Sequence, residues 1–271
     1  MYLPYFNLKT HPFSITSDPS FIFFSRRYQE AFDHLHYGIT NRVGFIEITG
    51  DIGCGKTTLC RALLNHLGPD TKTAYIFNSN LTEIQLMQTL LSDLGLDPKN
   101  KQRYDLYAEL NNYLIEQLSV GNNVVLIIDE AQNLSIPLLE QVRMLSNLET
   151  ETEKLLQIVL VGQPELRDKL NAPELKQLRQ RIAIRYHLTP FELEEVHQYI
   201  HHRLSIAGAN GSTPSFGDDA VKEIHAFSKG VPRLINIVCD KALLLLFARD
   251  QCHINQQIIQ ECIQEIEGVV V

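Results

Sequence analysis

Apolar residues fall into two alternating patterns along the first two-thirds of the chain. The first is the continuous short run: Val43-Gly-Phe-Ile-Glu-Ile-Thr49, Thr73-Ala-Tyr-Ile-Phe-Asn78, Val124-Val-Leu-Ile-Ile128, Leu155-Leu-Gln-Ile-Val-Leu-Val161 and Ile182 to Leu188. Such runs, rich in β-branched residues, predict strands, and those apolar throughout predict strands buried on both faces, as at the centre of a parallel sheet. The second pattern recurs at helical spacing. It covers Thr58 to Asn65, then Ile84, Met87, Leu90, Leu91 and Leu94 up to Gly95, and then Tyr104 to Leu118, with Leu106, Leu110, Leu114 and Leu118 on one stripe before Gly121. After the polar connection at Pro98, and again after Ser135 and Pro137, which open a helix to about Leu148, the pattern resumes. Strand and helix alternating in this way predict βαβ units and an α/β fold with a parallel sheet.

From Thr189 onward only helices are expected: Glu192 to Ile206, Asp218 to Ser228, Pro232 to Arg249 and Gln256 to Glu267, with Gly208, Gly211, Pro214 and Gly230 at the joins. The expected organisation is therefore an α/β domain over 43–189 and an all-helical domain over 190–267. Residues 1–42 precede both and carry Tyr5, Phe6, Pro12, Phe13, Pro19, Phe21, Phe23 and Phe24 ahead of an apparent helix from Arg27 to Tyr37. They read as an arm packed on the core, or as a contributor to the pocket for a nucleotide base.

The chemistry is concentrated where the first strand ends. Gly50-Asp51-Ile52-Gly53-Cys54-Gly55-Lys56-Thr57 fits the phosphate-loop pattern G-x-x-x-x-G-K-[ST], between a strand and a helix that starts near Thr58. Glycines at 50, 53 and 55 let backbone N–H groups turn inward towards phosphates, and the helix adds its positive end. Lys56 then holds the β- and γ-phosphates and the Thr57 hydroxyl holds Mg²⁺, which makes ATP and Mg²⁺ the expected ligands.

Asp129 and Glu130 follow the most apolar run directly, and a carboxylate at the C-terminal end of a central strand sits at the ligand edge of the sheet. Asp129 is expected to approach Mg²⁺ through its waters, and Glu130 to orient and polarise the attacking water as a general base. Gln163 ends the next strand. Its amide both donates and accepts, so it either reaches the γ-phosphate or its water or is a turn residue. Arg179 and Arg181 precede the last strand and, taken alone, read as a solvated helix face. Arg233, beside Pro232, is a structural residue unless the helical domain caps the nucleotide.

Composition narrows the rest. A net charge of −8 with a pI near 5.7 argues against broad attraction to nucleic acid. The five cysteines form no C-x-x-C pair, which argues against a disulfide framework or zinc site, and His201-His202 reads as a solvated helix face. No apolar run approaches the ~20 residues of a membrane span, and no secretory signal is visible, so a cytoplasmic protein is expected.

With these residues in view, the chain resembles AAA-type P-loop ATPases of the general secretion pathway A group, and within it those of MSHA-type (type IV) pilus biogenesis. Beside the phosphate loop, the resemblance rests on Pro12-Phe13, Asp18-Pro19, Glu30-Ala31, Tyr37-Gly38-Ile39 and Gly44-Phe45. It extends through Ile128-Asp-Glu-Ala-Gln132, Asn147-Leu-Glu-Thr150, Gly162-Gln-Pro-Glu-Leu166, Leu178-Arg-Gln-Arg-Ile182 and Gly230-Val-Pro-Arg-Leu-Ile-Asn236. It implies an AAA-type P-loop NTPase core with a C-terminal helical lid, and nucleotide contacts from residues 50–58, Thr58 included, and from Arg233. Gln163 becomes a sensor beside the Walker B strand, Arg233 a second sensor in the lid, and Arg179 or Arg181 an arginine finger acting across a subunit boundary of a ring or open ring. Cys54 departs from the threonine common there; a thiol so close to Lys56 and a helix N-terminus is expected to react readily, unless the side chain tucks under the loop and stays inert.

The resemblance further implies a Mg²⁺-dependent ATP hydrolase coupling turnover to assembly of a pilus or secretion complex, with an inner-membrane assembly protein as partner and a peripheral location there. Secretion-type members often continue into a membrane span and a peptidoglycan-binding domain. A chain stopping at Val271 without them favours the shorter pilus-type form. The alternatives are a DNA-associated regulator of the transposition or replication type and a nucleotide-dependent scaffold with little turnover.

Overall fold

The computed structural model describes residues 1–77, 81–99, 101–209 and 214–268. Asn78, Gly211 and Val271, which mark the end of a strand run, a join and the chain end, lie outside them. In chain order the elements are α1 (Tyr2–Tyr5), α2 (Arg26–Thr40), β1 (Phe45–Gly50), α3 (Lys56–His66), β2 (Thr71–Ile76), α4 (Glu83–Asp93) and α5 (Arg103–Ser119). They continue with β3 (Asn123–Ile128), α6 (Ile136–Leu145), β4 (Gln157–Gly162), α7 (Pro164–Leu170), α8 (Lys176–Arg181) and β5 (Ile182–Leu188). The remainder is α9 (Leu193–Ile206), β6 (Ser215–Phe216), α10 (Asp218–Ser228), α11 (Pro232–Ala248), β7 (His253–Ile254) and α12 (Gln256–Ile266).

The chain divides into two compact units. One comprises Gln29–Asp51 and Ala62–Leu188. Its sheet has the order β2-β3-β4-β1-β5, with every neighbouring pair parallel. The order follows hydrophobicity. β1 and β4 are buried at every position and β3 at all but its first, so these three take the centre, while β2 and β5, which carry exposed and half-exposed positions, take the edges. Local signals define the helix starts. Thr82 and Gln85 form a reciprocal capping box on α4, and Ser135 accepts from the Leu138 N–H at the start of α6. The pattern leaves α7 without an element of its own, because it is too short to show a period; Pro164 simply opens it at its first turn, while α8 is the short helix that carries Arg179 and Arg181.

The other unit comprises Met1–Tyr28, Ile52–Arg61 and the chain from Thr189. Besides α1 and the first part of α3 it holds α9 to α12, which fall within a residue or so of the expected helices after Thr189, with one addition: β6 and β7 form a two-residue parallel pair, too short to show alternation. The aromatic arm divides between units. Residues 1–28 group with these helices and 29–42 with the α/β unit. The Tyr2 hydroxyl donates to Asp240, Tyr5 Oη donates to Asp250 Oδ1 at 2.8 Å, and Phe23 lies edge-on to Phe191 at 5.7 Å. Arg203 joins arm and helix from a buried position. Its Nε donates to the Pro12 carbonyl, its Nη2 to the Ser14 carbonyl at 3.2 Å, and its guanidinium lies 4.7 Å from the Phe21 ring centre. Desolvating that cation is tolerable because backbone oxygens and aromatic faces surround it.

The adjacent histidines part company. His201 is exposed, but His202 is not on a solvated face: its ring lies 5.5 Å from that of Phe23, and its Nε2 is buried with no hydrogen-bond partner. Burial pushes its pKa below the usual imidazole value, and the nearby Arg203 and His201 act in the same direction. Helical spacing turns neighbouring residues by about 100°, so one of the pair faces inward when the other faces out.

Candidate functional site

The phosphate-loop motif begins where β1 ends, at Gly50, and α3 starts at Lys56 itself, earlier than the pattern indicates. Gly53 and Gly55 have φ of 82° and 83°, a left-handed conformation that residues with a Cβ rarely adopt. A Cβ on Gly53 would stand 2.8 Å from the Arg233 Cβ and 3.1 Å from Val231 Cγ1. The Arg233 N–H donates to the Gly53 carbonyl at 3.3 Å, and the Tyr28 hydroxyl donates to the Cys54 carbonyl. Arg233 thus meets the loop through its backbone and the stem of its side chain at the start of α11, while the residue as a whole is exposed. Asp51 and Ile52 are exposed, Thr57 and Thr58 half-buried, and Lys56 buried.

Cys54 corrects an expectation. It is fully buried, so the thiol is withdrawn from solvent, the arrangement under which it stays inert rather than the exposed one under which it reacts readily. The two peptide groups on either side of it carry the carbonyls bonded by Arg233 and Tyr28.

In the α/β unit, the end of β3 carries the two carboxylates. The Asp129 N–H extends the ladder to the Ile76 carbonyl of β2 at 2.9 Å. The Asp129 carboxylate is buried; Oδ2 accepts from Tyr75 Oη at 2.8 Å and Oδ1 from the Glu130 N–H at 2.9 Å. Glu130 has φ 51°, left-handed and not glycine. Such a backbone costs on the order of 1–3 kcal/mol and concentrates at functional positions.

Two amides grip the Glu130 carboxylate. Gln132 Nε2 donates to Oε2 at 2.6 Å and Gln163 Nε2 donates to the same oxygen at 3.0 Å. Gln132 Oε1 in turn accepts from the Gln163 N–H at 3.0 Å, so one glutamine ties the ends of β3 and β4 together. A side chain on Gly162 would prevent this, since a Cβ there would lie 2.8 Å from Gln132 Oε1. Lys169 Nζ donates to the Leu134 carbonyl at 2.8 Å and to that of Gln132, both in the turn after Glu130. The sequence pattern assigns no role to Gln132 or Tyr75. The signal that could have found Gln132 is its place two residues after Glu130, where the 3₁₀ turn Ala131–Asn133 brings it back. That for Tyr75 is its register beside Ile127.

The arginines before β5 are anchored. Arg179 Nη1 donates to Asn171 Oδ1 at 3.2 Å in an exposed contact, while Arg181 Nη1 donates to Ser146 Oγ at 2.5 Å in a partly buried one. Arg185 pairs with the buried Glu47 of β1 at 3.3 Å, and its Nη2 donates to the Arg179 carbonyl at 2.7 Å. Burial raises the Glu47 pKa against the opposing pull of Arg185 and Arg167.

Comparison with known proteins accords with this geometry. Residues 40–170 match an AAA domain family. General secretion pathway protein A of Aeromonas hydrophila is 42% identical over 273 aligned residues, covering 99% of this chain and 49% of that protein, so the chain spans about half the length of the curated relative it matches. Among solved structures, Cdc6p of Pyrobaculum aerophilum superposes with a TM-score of 0.69 at 17% identity, covering 91% of this chain and 70% of that one. The Thermotoga maritima RuvB Holliday junction branch migration motor gives 0.60 at 18%, covering 90% and 69%. Aeropyrum pernix ORC2, in its ADPNP–ADP complexes, gives 0.63 at 16%, covering 87% and 66%. At these identities the structures bear on the fold alone. Among the described residues no helix is long and apolar enough to cross a membrane. The parallel sheet and the phosphate-loop motif give the chain an AAA-type P-loop fold, and along nearly its whole length it is similar to general secretion pathway protein A.

Proposed function

We propose that this chain is a Mg²⁺-dependent ATP hydrolase that couples turnover to assembly of a type IV, MSHA-like pilus or a general secretion complex at the inner membrane. One observation carries the enzymatic part: Glu130, held in a left-handed backbone with its carboxylate gripped by Gln132 and Gln163, is an oriented base at the end of a central strand. A scaffold that merely binds nucleotide has no need of such a base. In the proposed reaction Glu130 takes a proton from water as the water oxygen bonds to the γ-phosphorus and the bond to the departing ADP breaks.

The donor set suits ATP and Mg²⁺. Glycines at 53 and 55 give the backbone the curvature of an anion cradle, residues 50–58 line it, and Lys56 supplies a cation for the β- and γ-phosphates. Thr57 and Asp129 are hard oxygen donors of the kind Mg²⁺ prefers, and the ion would offset charge on the phosphates. Gln163 acts as a sensor through Glu130, and Arg233 as a sensor in a lid over residues 190–267, with residues 43–189 as the ATPase domain. The arginine finger reaching a neighbouring copy in a ring or open ring is better assigned to Arg179, since Arg181 is engaged with Ser146 in a partly buried contact. A cytoplasmic protein, peripheral at the inner membrane and bound there to an assembly protein, fits this role.

The test uses Glu130→Gln in the purified protein and in cells. Purified, it should bind ATP like the wild type while turnover falls about a thousandfold, within the range for loss of a general base. In cells it should abolish surface pili or secretion at unchanged protein level. Ordinary hydrolysis by the variant would remove the base assignment; intact pili and secretion would remove the assembly role, and tight retention of duplex DNA would favour a DNA-associated regulator.

A further inference from the structure

Two backbone carbonyls of the phosphate loop are taken by groups from distant parts of the chain, all within one compact unit. The Gly53 carbonyl accepts from the Arg233 N–H at 3.3 Å, and the Cys54 carbonyl accepts from the Tyr28 hydroxyl. In a trans peptide the C=O and the following N–H point in opposite directions. Fixing these two carbonyls therefore sends the N–H groups of Cys54 and Gly55 to the other side of the loop. That is the orientation an anion cradle needs.

Of the two ties, that of Tyr28 is made by a side chain and can be removed by one substitution. Tyr28 is buried, and its ring lies 5.0 Å from that of Phe191. Its hydroxyl stands 3.4 Å from where a Cβ on Gly55 would be. The Phe191 N–H donates to the Gly230 carbonyl at 2.9 Å, and Val231 and Arg233 follow directly and meet Gly53. The contacts close a circuit from the loop through Tyr28, Phe191 and the start of α11 back to the loop. Burial pushes the Tyr28 phenol far above its usual range, so it remains protonated and a donor at any working pH.

We propose that Tyr28 is a positioning residue for the phosphate loop, holding the Cys54 carbonyl so that the Gly55 N–H faces the phosphates and the Cys54 thiol stays under the loop. The inference deepens the nucleotide reading and rests on it for the phosphates. The buried thiol provides a readout that does not.

The experiment compares wild type, Tyr28→Phe and Tyr199→Phe. Tyr199→Phe is the matched control: it removes another buried hydroxyl of the same unit, bonded to Asn236 Oδ1 at 2.9 Å and to Arg203, without touching the loop. Iodoacetamide labelling of Cys54, read by peptide mass spectrometry without nucleotide, should be about tenfold faster in Tyr28→Phe than in the other two, as the cost of an orphaned buried carbonyl leads one to expect. ATP affinity should weaken by about tenfold, with turnover at saturation nearly unchanged. Labelling of Cys54 at the wild-type rate in Tyr28→Phe, or equally fast labelling in Tyr199→Phe, overturns the proposal. If wild type binds no nucleotide, the nucleotide reading fails, and the labelling rates alone decide whether Tyr28 holds the loop.

Discussion

The phosphate loop and the end of β3 carry complementary halves of the proposed chemistry, yet they are built by opposite means. The loop is shaped by backbone: left-handed glycines, and carbonyls tied by Arg233 N–H and Tyr28. The end of β3 is shaped by side chains: Tyr75 on Asp129, and the amides of Gln132 and Gln163 on Glu130. A backbone-built site depends on the absence of atoms, whereas a side-chain-built site depends on their presence. Adding a methyl group should ruin the first, and removing an amide should only weaken the second.

The largest effects should come from the loop. Gly53→Ala places a Cβ 2.8 Å from that of Arg233 at a φ of 82°, and ATP affinity measured by calorimetry should fall by more than about a hundredfold. Lys56→Ala should abolish binding through loss of charge, without the steric disturbance. Wild-type affinity in either variant would break the assignment of the loop.

Intermediate effects belong to the amides. Gln132→Ala and Gln163→Ala should each lower turnover by about tenfold to a hundredfold with ATP affinity intact, because each removes one hydrogen bond to a charged carboxylate. The double variant should be less than multiplicative, since the Gln132 amide also binds the Gln163 backbone. Equal loss of affinity and turnover would show that these residues serve binding rather than orientation of Glu130.

A smaller effect tests completion of the site by a second copy. Turnover per subunit should rise with protein concentration, and inactive Arg179→Ala mixed with inactive Glu130→Gln should recover a fraction of wild-type activity at interfaces pairing two intact halves. Recovery only with Arg181→Ala would transfer the finger to Arg181, and recovery with neither would remove trans completion.

The smallest effect concerns pH and lies outside both halves. Because the folded His202 pKa lies below 6.5, the unfolded chain takes up a proton first as pH falls through 6.5, so stability is retained above that value and declines below it. His202→Phe should flatten the fall of Tm between pH 7 and pH 5.5 slightly, the ring being only partly buried. An unchanged slope would assign the acid sensitivity to other groups.

Much of this molecule is determined by the sequence alone, and the reason is range. The strands at Phe45, Val124 and Gln157, the loop at 50–57 and the acid pair at 129–130 are each encoded within about ten consecutive residues, by runs, glycines and spacing that act locally. Even the central placement of β3 follows from its having no polar position after Asn123. Other features required the fold. Gln132 and Gln163 lie far apart in sequence, and nothing local says that they share one carboxylate oxygen. The fate of Cys54 is not encoded locally either: glycines on either side permit the thiol to face either way, and its burial comes with carbonyl contacts from Tyr28 and Arg233, which arrive from opposite ends of the chain. Local pattern determines which backbone shapes are affordable, whereas side-chain partnerships are decided by packing among segments whose separation in sequence carries no record of their distance in space.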